Sequence, residues 1–197
     1  MTDDHASRSR ALHLWVVFGV IALVVVAIDQ VSKSWIESSF TLAAQGAAPG
    51  SAGAPTPILG DLVRIARSWN DGGIFGMLGD SALYLGIASL GVIAVIIAIE
   101  ARQGVHSAWL TLALGLLLGG AVGNLIDRLR FGHVVDWVDT GIGDLRFYTF
   151  NVADAAISLA VLLLILMGIL GPRLTGHGQP EVTNATADTT VVHGGRP

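Results

Sequence analysis

The chain has 197 residues, of which 52% are hydrophobic and 13% are charged, and its formal net charge is −4. A soluble domain usually has about 25% charged residues, so this composition argues against a soluble protein and predicts a membrane protein. The negative charge argues against nucleic-acid binding, which requires a basic surface. The chain contains no cysteine, which excludes disulfides, thiolate nucleophiles and cysteine-ligated metals.

The first apolar run covers residues 12–28 and follows a polar stretch with two arginines. A secretory signal peptide has similar regions, but it ends in an Ala-x-Ala-like cleavage site. Here the run ends in Val-Val-Ala-Ile-Asp-Gln, which favours a retained transmembrane helix. Asp29 and Lys33 close this helix four residues apart and therefore share a face. Their spacing leaves two interpretations open: a surface ion pair, or the wall of a polar cavity.

The connection after this helix combines a low-complexity segment with a short strand. Residues 43–57 are rich in Ala, Gly and Pro, which predicts a flexible insertion that buries nothing and has no chemical role. Residues 62–66 alternate apolar and basic side chains, which predicts a strand. We therefore expect a small β/loop subdomain between helices 1 and 2. Asn70 begins the turn sequence Asn-Asp-Gly-Gly, and by pattern alone it is best explained as a turn former.

Three more apolar runs follow, at residues 82–99, 108–122 and 155–170. Some are shorter than the roughly 20 apolar residues that a bilayer requires, so polar helix ends must complete the spans. In the third run, Gly115, Gly119 and Gly123 recur every four residues, a spacing that lets helix backbones approach closely in lipid. The predicted fold class is an all-α membrane protein with four transmembrane helices and one small extracytoplasmic β/loop subdomain.

Four spans place both termini on the same side of the membrane. Five of the eleven Lys and Arg residues would lie on that side and six on the other, so the overall count does not decide the orientation. Arg8 and Arg10 directly precede the first span, which often determines orientation. We therefore expect a cytoplasmic N-terminal tail (residues 1–11), a four-helix transmembrane domain (residues 12–170) and a disordered cytoplasmic C-terminal tail (residues 171–197).

Residues 119–154 place five aspartates and three arginines between two apolar runs. Charges beside membrane spans are costly and are usually retained for a function. Asn124, Asp127 and Arg128 stand at i, i+3 and i+4, and so lie on one face at the end of the third span. This cluster fits either a helix anchor made of caps and ion pairs or part of a functional site.

Two other aspartates in this segment form a candidate acid–base pair. Asp136 and Asp154 each lie at the edge of an apolar element, and two adjacent carboxylates cannot both ionise cheaply. One member can then activate water while the other protonates a carbonyl oxygen. We expect Asn151 to cap the fourth helix, which favours Asp154 as the base and the desolvated Asp136 as the acid. Asp139 and Asp144 are interpreted as loop acids without a role.

Five segments then occur in a distinctive order: Asp29-Gln-Val-Ser-Lys33, Asn70-Asp-Gly-Gly-Ile-Phe-Gly76, Gly119-Gly-Ala-Val-Gly-Asn-Leu-Ile-Asp-Arg128, Val134-Val-Asp136 and Phe150-Asn-Val-Ala-Asp154. Together with the four-span layout, they resemble the lipoprotein signal peptidase (signal peptidase II) family over residues 12–170. The resemblance implies an aspartic endopeptidase of the bacterial cytoplasmic (inner) membrane. Such an enzyme removes signal peptides from prolipoproteins just before a diacylglyceryl-modified cysteine.

The resemblance also implies roles for individual residues and partners. Asp136 and Asp154 would be the catalytic pair. Seven further residues would bind substrate or support the site: Asp29, Lys33, Asn70, Asn124, Asp127, Arg128 and Asn151. The implied partners are a lipid-modified prolipoprotein and membrane lipid. We also expect no cofactor, no metal and a monomeric enzyme. Two departures from the family pattern are Ile74, where alanine is usual, and the long insertion before Ile58.

Alternative interpretations of the sequence are weaker. Gly141-Ile-Gly-Asp144 matches the G-x-G-D string of presenilin-like proteases, but that string belongs inside a membrane helix and here it lies in a polar segment. The chain contains neither the H-E-x-x-H motif of zinc proteases nor the G-x-S-x-G motif of serine hydrolases. A proton-coupled carrier could use buried acids as a relay, although four spans without an internal repeat fit a carrier poorly.

Overall fold

The computed structural model describes residues 2–44, 47–48, 50–71, 81–102 and 107–174. Four long helices contain most of these residues: α1 (Thr2–Ser39), α2 (Ser81–Arg102), α3 (Ala108–Phe131) and α4 (Val152–Leu174). Four strands lie between them in the chain: β1 (Thr56–Leu59), β2 (Val63–Asn70), β3 (Val134–Ile142) and β4 (Leu145–Arg146). The predicted strand at residues 62–66 is confirmed over residues 63–66, which form the first half of β2.

Each helix contains a stretch that is long and apolar enough to cross a membrane: Ala11–Ser39, Tyr84–Arg102, Ala108–Phe131 and Val152–Leu170. The α3 stretch is 50% buried, against 22%, 17% and 17% for those of α1, α2 and α4. The helix α3 is therefore the centre of the bundle, and the outer apolar faces of the other three are available to lipid. The prediction of four spanning helices is confirmed.

The spacing of the glycines of α3 predicted close helix packing, and the structure shows that the helix they pack against is α1. A Cβ atom added at Gly119 would lie 2.6 Å from Cβ of Val25, and one added at Gly123 would lie 2.7 Å from Oδ2 of Asp29. The corresponding distance at Gly115 is 3.0 Å. Any larger residue at these positions would separate the two helices, so the glycines determine how near α1 comes to the polar end of α3.

The strands form one antiparallel sheet in the order β1-β2-β3-β4. The connection between α1 and α2 supplies β1 and β2, which confirms the predicted subdomain there. The connection between α3 and α4 supplies β3 and β4, which the sequence pattern did not predict. Pairing of β2 with β3 places Ser68 opposite Asp136 and Asn70 opposite Val134. The sheet thereby joins the two polar connections of the chain into one layer.

A small apolar cluster fixes this sheet on the bundle. Ile36 near the end of α1 packs with Ile65 of β2 and Val135 of β3, and all three side chains are buried. Phe40 and Trp137 pack against the same cluster. Because Val135 is buried against α1, the next residue along β3 is held beside the helix ends.

The described part of the insertion differs from its prediction. The described part of residues 43–57 is attached to the sheet: the N–H of Ala43 donates to the carbonyl of Arg67 at 2.8 Å, and the N–H of Gly53 donates to Oγ1 of Thr41 at 2.9 Å. The prediction of an insertion that buries nothing is therefore wrong, since Gly53 is buried. Residues 2–10 continue α1, and α4 continues through residue 174. The remaining C-terminal residues and Ile74 lie outside the described residues.

Candidate active site

The nine residues predicted for the site come from five elements and meet where the sheet covers one end of the bundle. The helix α1 contributes Asp29 and Lys33, the strand β2 contributes Asn70, and α3 contributes Asn124, Asp127 and Arg128. The strand β3 contributes Asp136, and the start of α4 contributes Asn151 and Asp154. Hydrogen bonds and ion pairs connect these residues into one network.

Asp136 is a buried carboxyl group, 2% exposed, that accepts two amide hydrogen bonds. Its Oδ2 accepts from Nδ2 of Asn70 at 2.9 Å, and its Oδ1 accepts from Nδ2 of Asn151 at 2.6 Å. The pKa of Asp136 is raised to about 6, chiefly because burial disfavours the charged form. The nearby Asp154 also raises this pKa, whereas both amides and the positive charge of Lys33 lower it. Asn70 is thus a neighbour of this carboxyl group as well as the start of a turn sequence.

Asp154 lies in the first turn of α4 and is half-buried. Its backbone N–H donates to Oδ1 of Asn151 at 2.9 Å, and the N–H of Asn151 donates to Oδ2 of Asp154 at 3.2 Å. This reciprocal arrangement resembles a capping box and confirms the prediction that Asn151 caps the helix. Oδ1 of Asp154 accepts from Nδ2 of Asn124 at 2.8 Å. Both carboxyl oxygens are therefore oriented by neighbouring groups.

Asn151 connects the two carboxyl groups, which we call the aspartate pair (Asp136 and Asp154). Its side-chain amide contacts Asp136, and its backbone N–H contacts Asp154. The same amide also donates to Oδ1 of Asn124 at 3.1 Å. Asn151 is fully buried and thus contacts both members of the pair, although they are 18 positions apart in the chain.

Lys33 is the buried cation of the network and is 2% exposed. Its Nζ lies 2.8 Å from Oδ2 of Asp29 and 2.8 Å from Oδ2 of Asp127, and it donates to Oδ1 of Asn124 at 3.0 Å. These contacts decide between the two interpretations of Asp29 and Lys33, since the ion pair is buried in a polar cluster and not on the surface. Arg128 joins the cluster by donating to the backbone carbonyl of Asn124 at 3.2 Å.

Sequence patterns missed the role of Gln30 in this network. Its Nε2 donates to Oδ1 of Asp127 at 2.8 Å, to Oδ2 of Asp29 at 3.2 Å and to the carbonyl of Gly123 at 3.2 Å. A second polar residue beside Asp29, at the end of the apolar run of residues 12–28, was the signal that could have identified it. Gln30 ties α1 to α3 next to Lys33.

The interpretation of Asp139 as a loop acid is wrong. This residue lies in β3, is 5% exposed and forms ion pairs with Arg64 at 2.7 Å and Arg146 at 3.0 Å. Asp144 does lie in an exposed turn, as predicted. Its position in the turn between β3 and β4 also argues against a presenilin-like site, which would require a membrane helix.

The geometry suits acid–base chemistry. One carboxyl group is buried and has a raised pKa, while the other is half-buried and faces neighbouring hydrogen-bond donors. Two carboxyl groups in such different environments can divide the roles of acid and base. Within the ranges that the structure describes, no group of three or more His, Asp or Glu side chains is arranged to hold a metal ion.

A family model and the similar proteins of known function all point to the same family of peptidases. Residues 21–170 match the family model described as signal peptidase (SPase) II. The lipoprotein signal peptidase of Nostoc punctiforme is 34% identical over 149 residues, which cover 76% of this chain and 87% of that protein. The lipoprotein signal peptidase of Burkholderia multivorans is 38% identical over 149 residues, covering 74% and 82%.

Solved structures show the same architecture. A bacterial membrane enzyme determined by the in meso method at 2.3 Å resolution has a TM-score of 0.67 and 26% identity, covering 82% of this chain and 92% of its own. A second such structure, at 1.9 Å resolution, has a TM-score of 0.66 and 28% identity, covering 76% and 90%.

Proposed function

Because the chain belongs to the signal peptidase II family, we propose that its aspartate pair is the catalytic centre of a lipoprotein signal peptidase. The observation that supports this most strongly is the contact of Asn151 with both carboxyl groups. Acids contributed by β3 and α4 are brought together there in different environments. An aspartic endopeptidase requires such a pair, because it hydrolyses a peptide bond without a covalent intermediate or a metal.

In this proposal Asp154 is the base and Asp136 is the acid. The half-buried Asp154 takes a proton from water as the water oxygen attacks the scissile carbonyl carbon. Asp136, whose pKa is raised to about 6, donates its proton to the carbonyl oxygen. Collapse of the tetrahedral intermediate breaks the carbon–nitrogen bond, returns that proton to Asp136, and lets Asp154 protonate the departing amine. Asn70, Asn124 and Asn151 keep the two carboxyl groups oriented through these steps.

The proposed substrate is a prolipoprotein whose cysteine carries a diacylglyceryl group, cut just before that cysteine. The four apolar helices place the aspartate pair near one end of the bundle, where a lipid chain would lie beside the helices and the peptide would enter under the sheet. Lipidation should then anchor the cleavage site at the depth of the pair. We propose that this end is extracytoplasmic, that both termini are cytoplasmic and that the enzyme acts as a monomer.

The test is cleavage of a lipidated prolipoprotein by the purified protein in detergent. Asp136→Asn and Asp154→Asn should each abolish cleavage, because both roles require a titratable carboxyl group. Asp144→Asn is the matched control, since it changes the same chemical group in an exposed turn and should leave cleavage unchanged. Normal turnover by either of the first two variants would disprove the assignment.

Two further arms of the assay define the substrate and the class of protein. The same precursor without its lipid should be cut far more slowly if the lipid positions it. Cleavage in detergent requires no ion gradient, so it also separates a peptidase from a proton-coupled carrier. Gradient-dependent flux in vesicles without any cleavage would favour the carrier.

A further inference from the structure

Each member of the aspartate pair follows a residue whose backbone N–H is bound by another buried aspartate. The N–H of Val135, directly before Asp136, donates to Oδ2 of Asp127 at 3.1 Å. The N–H of Ala153, directly before Asp154, donates to Oδ1 of Asp29 at 3.0 Å. The two acceptors come from different helices. Both hydrogen bonds are made with the backbone next to the aspartate pair and not with its carboxyl groups.

One cation joins the two acceptors. Nζ of Lys33 lies 2.8 Å from Asp29 and 2.8 Å from Asp127, and the side chains of all three residues are at most 3% exposed. Nε2 of Gln30 donates to both of the same carboxylates. The acceptors are therefore held relative to each other by a charged contact and an amide.

We propose that Asp29 and Asp127 are positioning residues that fix the aspartate pair through the backbone, with Lys33 setting the distance between them. This inference rests on the proposed function for the catalytic role of the pair. The buried ion pairs then have a defined positioning role, because each carboxylate restrains the backbone amide of the residue directly before one catalytic side chain.

The position of each amide explains why a side-chain acceptor is needed. Ala153 lies in the first turn of α4, where backbone N–H groups have no acceptor within the helix. Val135 is fully buried near the start of β3. A single peptide unit separates each restrained amide from the following Cα atom, so a displacement of the amide moves the catalytic side chain directly. Displacement of a reacting group by about 1 Å can cost on the order of 100-fold in rate.

The first experiment measures amide hydrogen exchange by NMR on the purified protein without substrate. Asp29→Ala should speed exchange at Ala153 by about tenfold or more and leave Val135 nearly unchanged, because only one of the two amides loses its charged acceptor. Asp127→Ala should give the opposite pattern. Lys33→Met should speed exchange at both amides, since it releases both carboxylates.

The second experiment measures kinetics per folded molecule. Asp29→Ala and Asp127→Ala should lower kcat by about tenfold or more with KM nearly unchanged, because they misalign reacting groups without contacting substrate. Asp29→Asn and Asp127→Asn retain an oxygen acceptor and should keep more kcat than the alanine variants. The asparagine variants also test the positioning role if an alanine variant fails to fold.

Glu100→Gln is the control for a merely structural effect. Glu100 is also a buried carboxyl group, 2% exposed, but it belongs to α2 and accepts a hydrogen bond at 3.1 Å from Oγ1 of Thr111 near the start of α3, whereas the site residues of α3 lie near its end. Its substitution should lower thermal stability without lowering kcat per folded molecule.

The inference is overturned if exchange at both amides is unchanged in the Asp29 and Asp127 variants, or if these variants lose stability but keep wild-type kcat. It is also overturned if only KM changes. The exchange pattern does not depend on activity, so a wild-type protein that fails to cut prolipoproteins would disprove the proposed function while leaving the restraint of the two amides measurable.

Discussion

Amide groups contact the carboxyl groups of the aspartate pair, whereas the ammonium group of Lys33 contacts two other aspartates. Asp136 accepts from Asn70 and Asn151, and the ammonium of Lys33 lies against Asp29 and Asp127. A cation in direct contact with Asp136 would favour its ionised form strongly. Neutral amides orient the carboxyl group with a smaller effect, and burial can therefore keep its pKa raised to about 6.

This arrangement predicts how Asn70→Ala changes the pH dependence. The hydrogen bond from Asn70 lowers the pKa of Asp136, so its removal should raise that pKa. In the proposed mechanism, activity requires protonated Asp136, so we expect it to be lost as the pH rises through the pKa of about 6 in the wild type. The alkaline limb of kcat/KM should therefore move to higher pH in the variant.

The measurement is a pH profile of kcat/KM for the wild type, Asn70→Ala and Asp144→Asn as a control. The pair titrates as a unit, so the profile reports macroscopic values, and the direction of the shift is the decisive result. Movement of the limb to lower pH would contradict the proposed role of Asp136 as the acid.

At the scale of secondary structure elements, the site depends on how closely α3 approaches α1 and α4. Glycines line both contacts, and Gly120 faces α4. A Cβ atom at Gly120 would lie 2.6 Å from the backbone carbonyl oxygen of Ala153 and 2.6 Å from Cγ1 of Ile157. Ala153 directly precedes Asp154, so the packing of α3 on α4 affects the position of the Asp154 side chain.

Gly120→Ala should therefore lower both the folded fraction and kcat. Overpacking of a tight contact costs about 1–3 kcal/mol, and here the contact partly involves backbone that cannot rotate away. Gly91→Ala is the matched control, because nothing lies within 4 Å of a Cβ at that position of α2. Thermal unfolding in detergent and the cleavage assay measure the two effects, and equal behaviour of the two variants would refute the packing argument.

Ion pairs of Asp139 stabilise the sheet. Its two carboxyl oxygens pair with Arg64 of β2 and Arg146 of β4, so one side chain links three strands. Hydrogen bonds to charged groups contribute about 1.5–3 kcal/mol, and the arginines are partly exposed, which favours the lower value. Asp139→Asn should thus lower the free energy of unfolding by about 1–2 kcal/mol.

Asp144→Asn is again the control, since a substitution in an exposed turn should change the free energy of unfolding by less than about 0.5 kcal/mol. Both variants keep the aspartate pair, so any loss of cleavage by Asp139→Asn should follow its loss of folded protein. A fall in kcat per folded molecule as large as that of Asp136→Asn would instead place Asp139 in the catalytic machinery.

Features determined by neighbouring residues could be predicted from the sequence. The four spans follow from apolar runs, the cap at Asn151 follows from its place before a helix, and the close helix packing at Gly119 follows from the spacing of the glycines. The ion pair of Asp139 with Arg64 could not be predicted in this way, because it depends on the register of two strands whose paired residues are 75 positions apart in sequence. The contact of Asp29 with the N–H of Ala153 joins residues 124 apart, and no local pattern encodes it.

At the scale of the whole molecule, the polar network and the sheet occupy one end and the start of α1 lies at the other. The helix α1 has 38 residues, and the roughly 30 positions from Ser9 to its end extend over about 45 Å at about 1.5 Å per residue. That length exceeds the hydrocarbon thickness of about 30 Å, so the two ends of α1 should lie on opposite sides of the bilayer. The site and the N terminus are therefore expected to face different compartments.

The orientation can be tested with single cysteines, because the chain has none of its own. Leu145→Cys lies in the hairpin of the sheet at a residue 84% exposed, and Ser9→Cys is exposed near the start of α1. Arg8 and Arg10 precede the first span and favour a cytoplasmic N terminus. In intact spheroplasts, a membrane-impermeant maleimide should therefore label the cysteine at position 145 and reach position 9 only after permeabilisation. The cysteine-free parent sets the background, and labelling in the opposite order would place the site on the cytoplasmic side and contradict the proposed extracytoplasmic position of the aspartate pair.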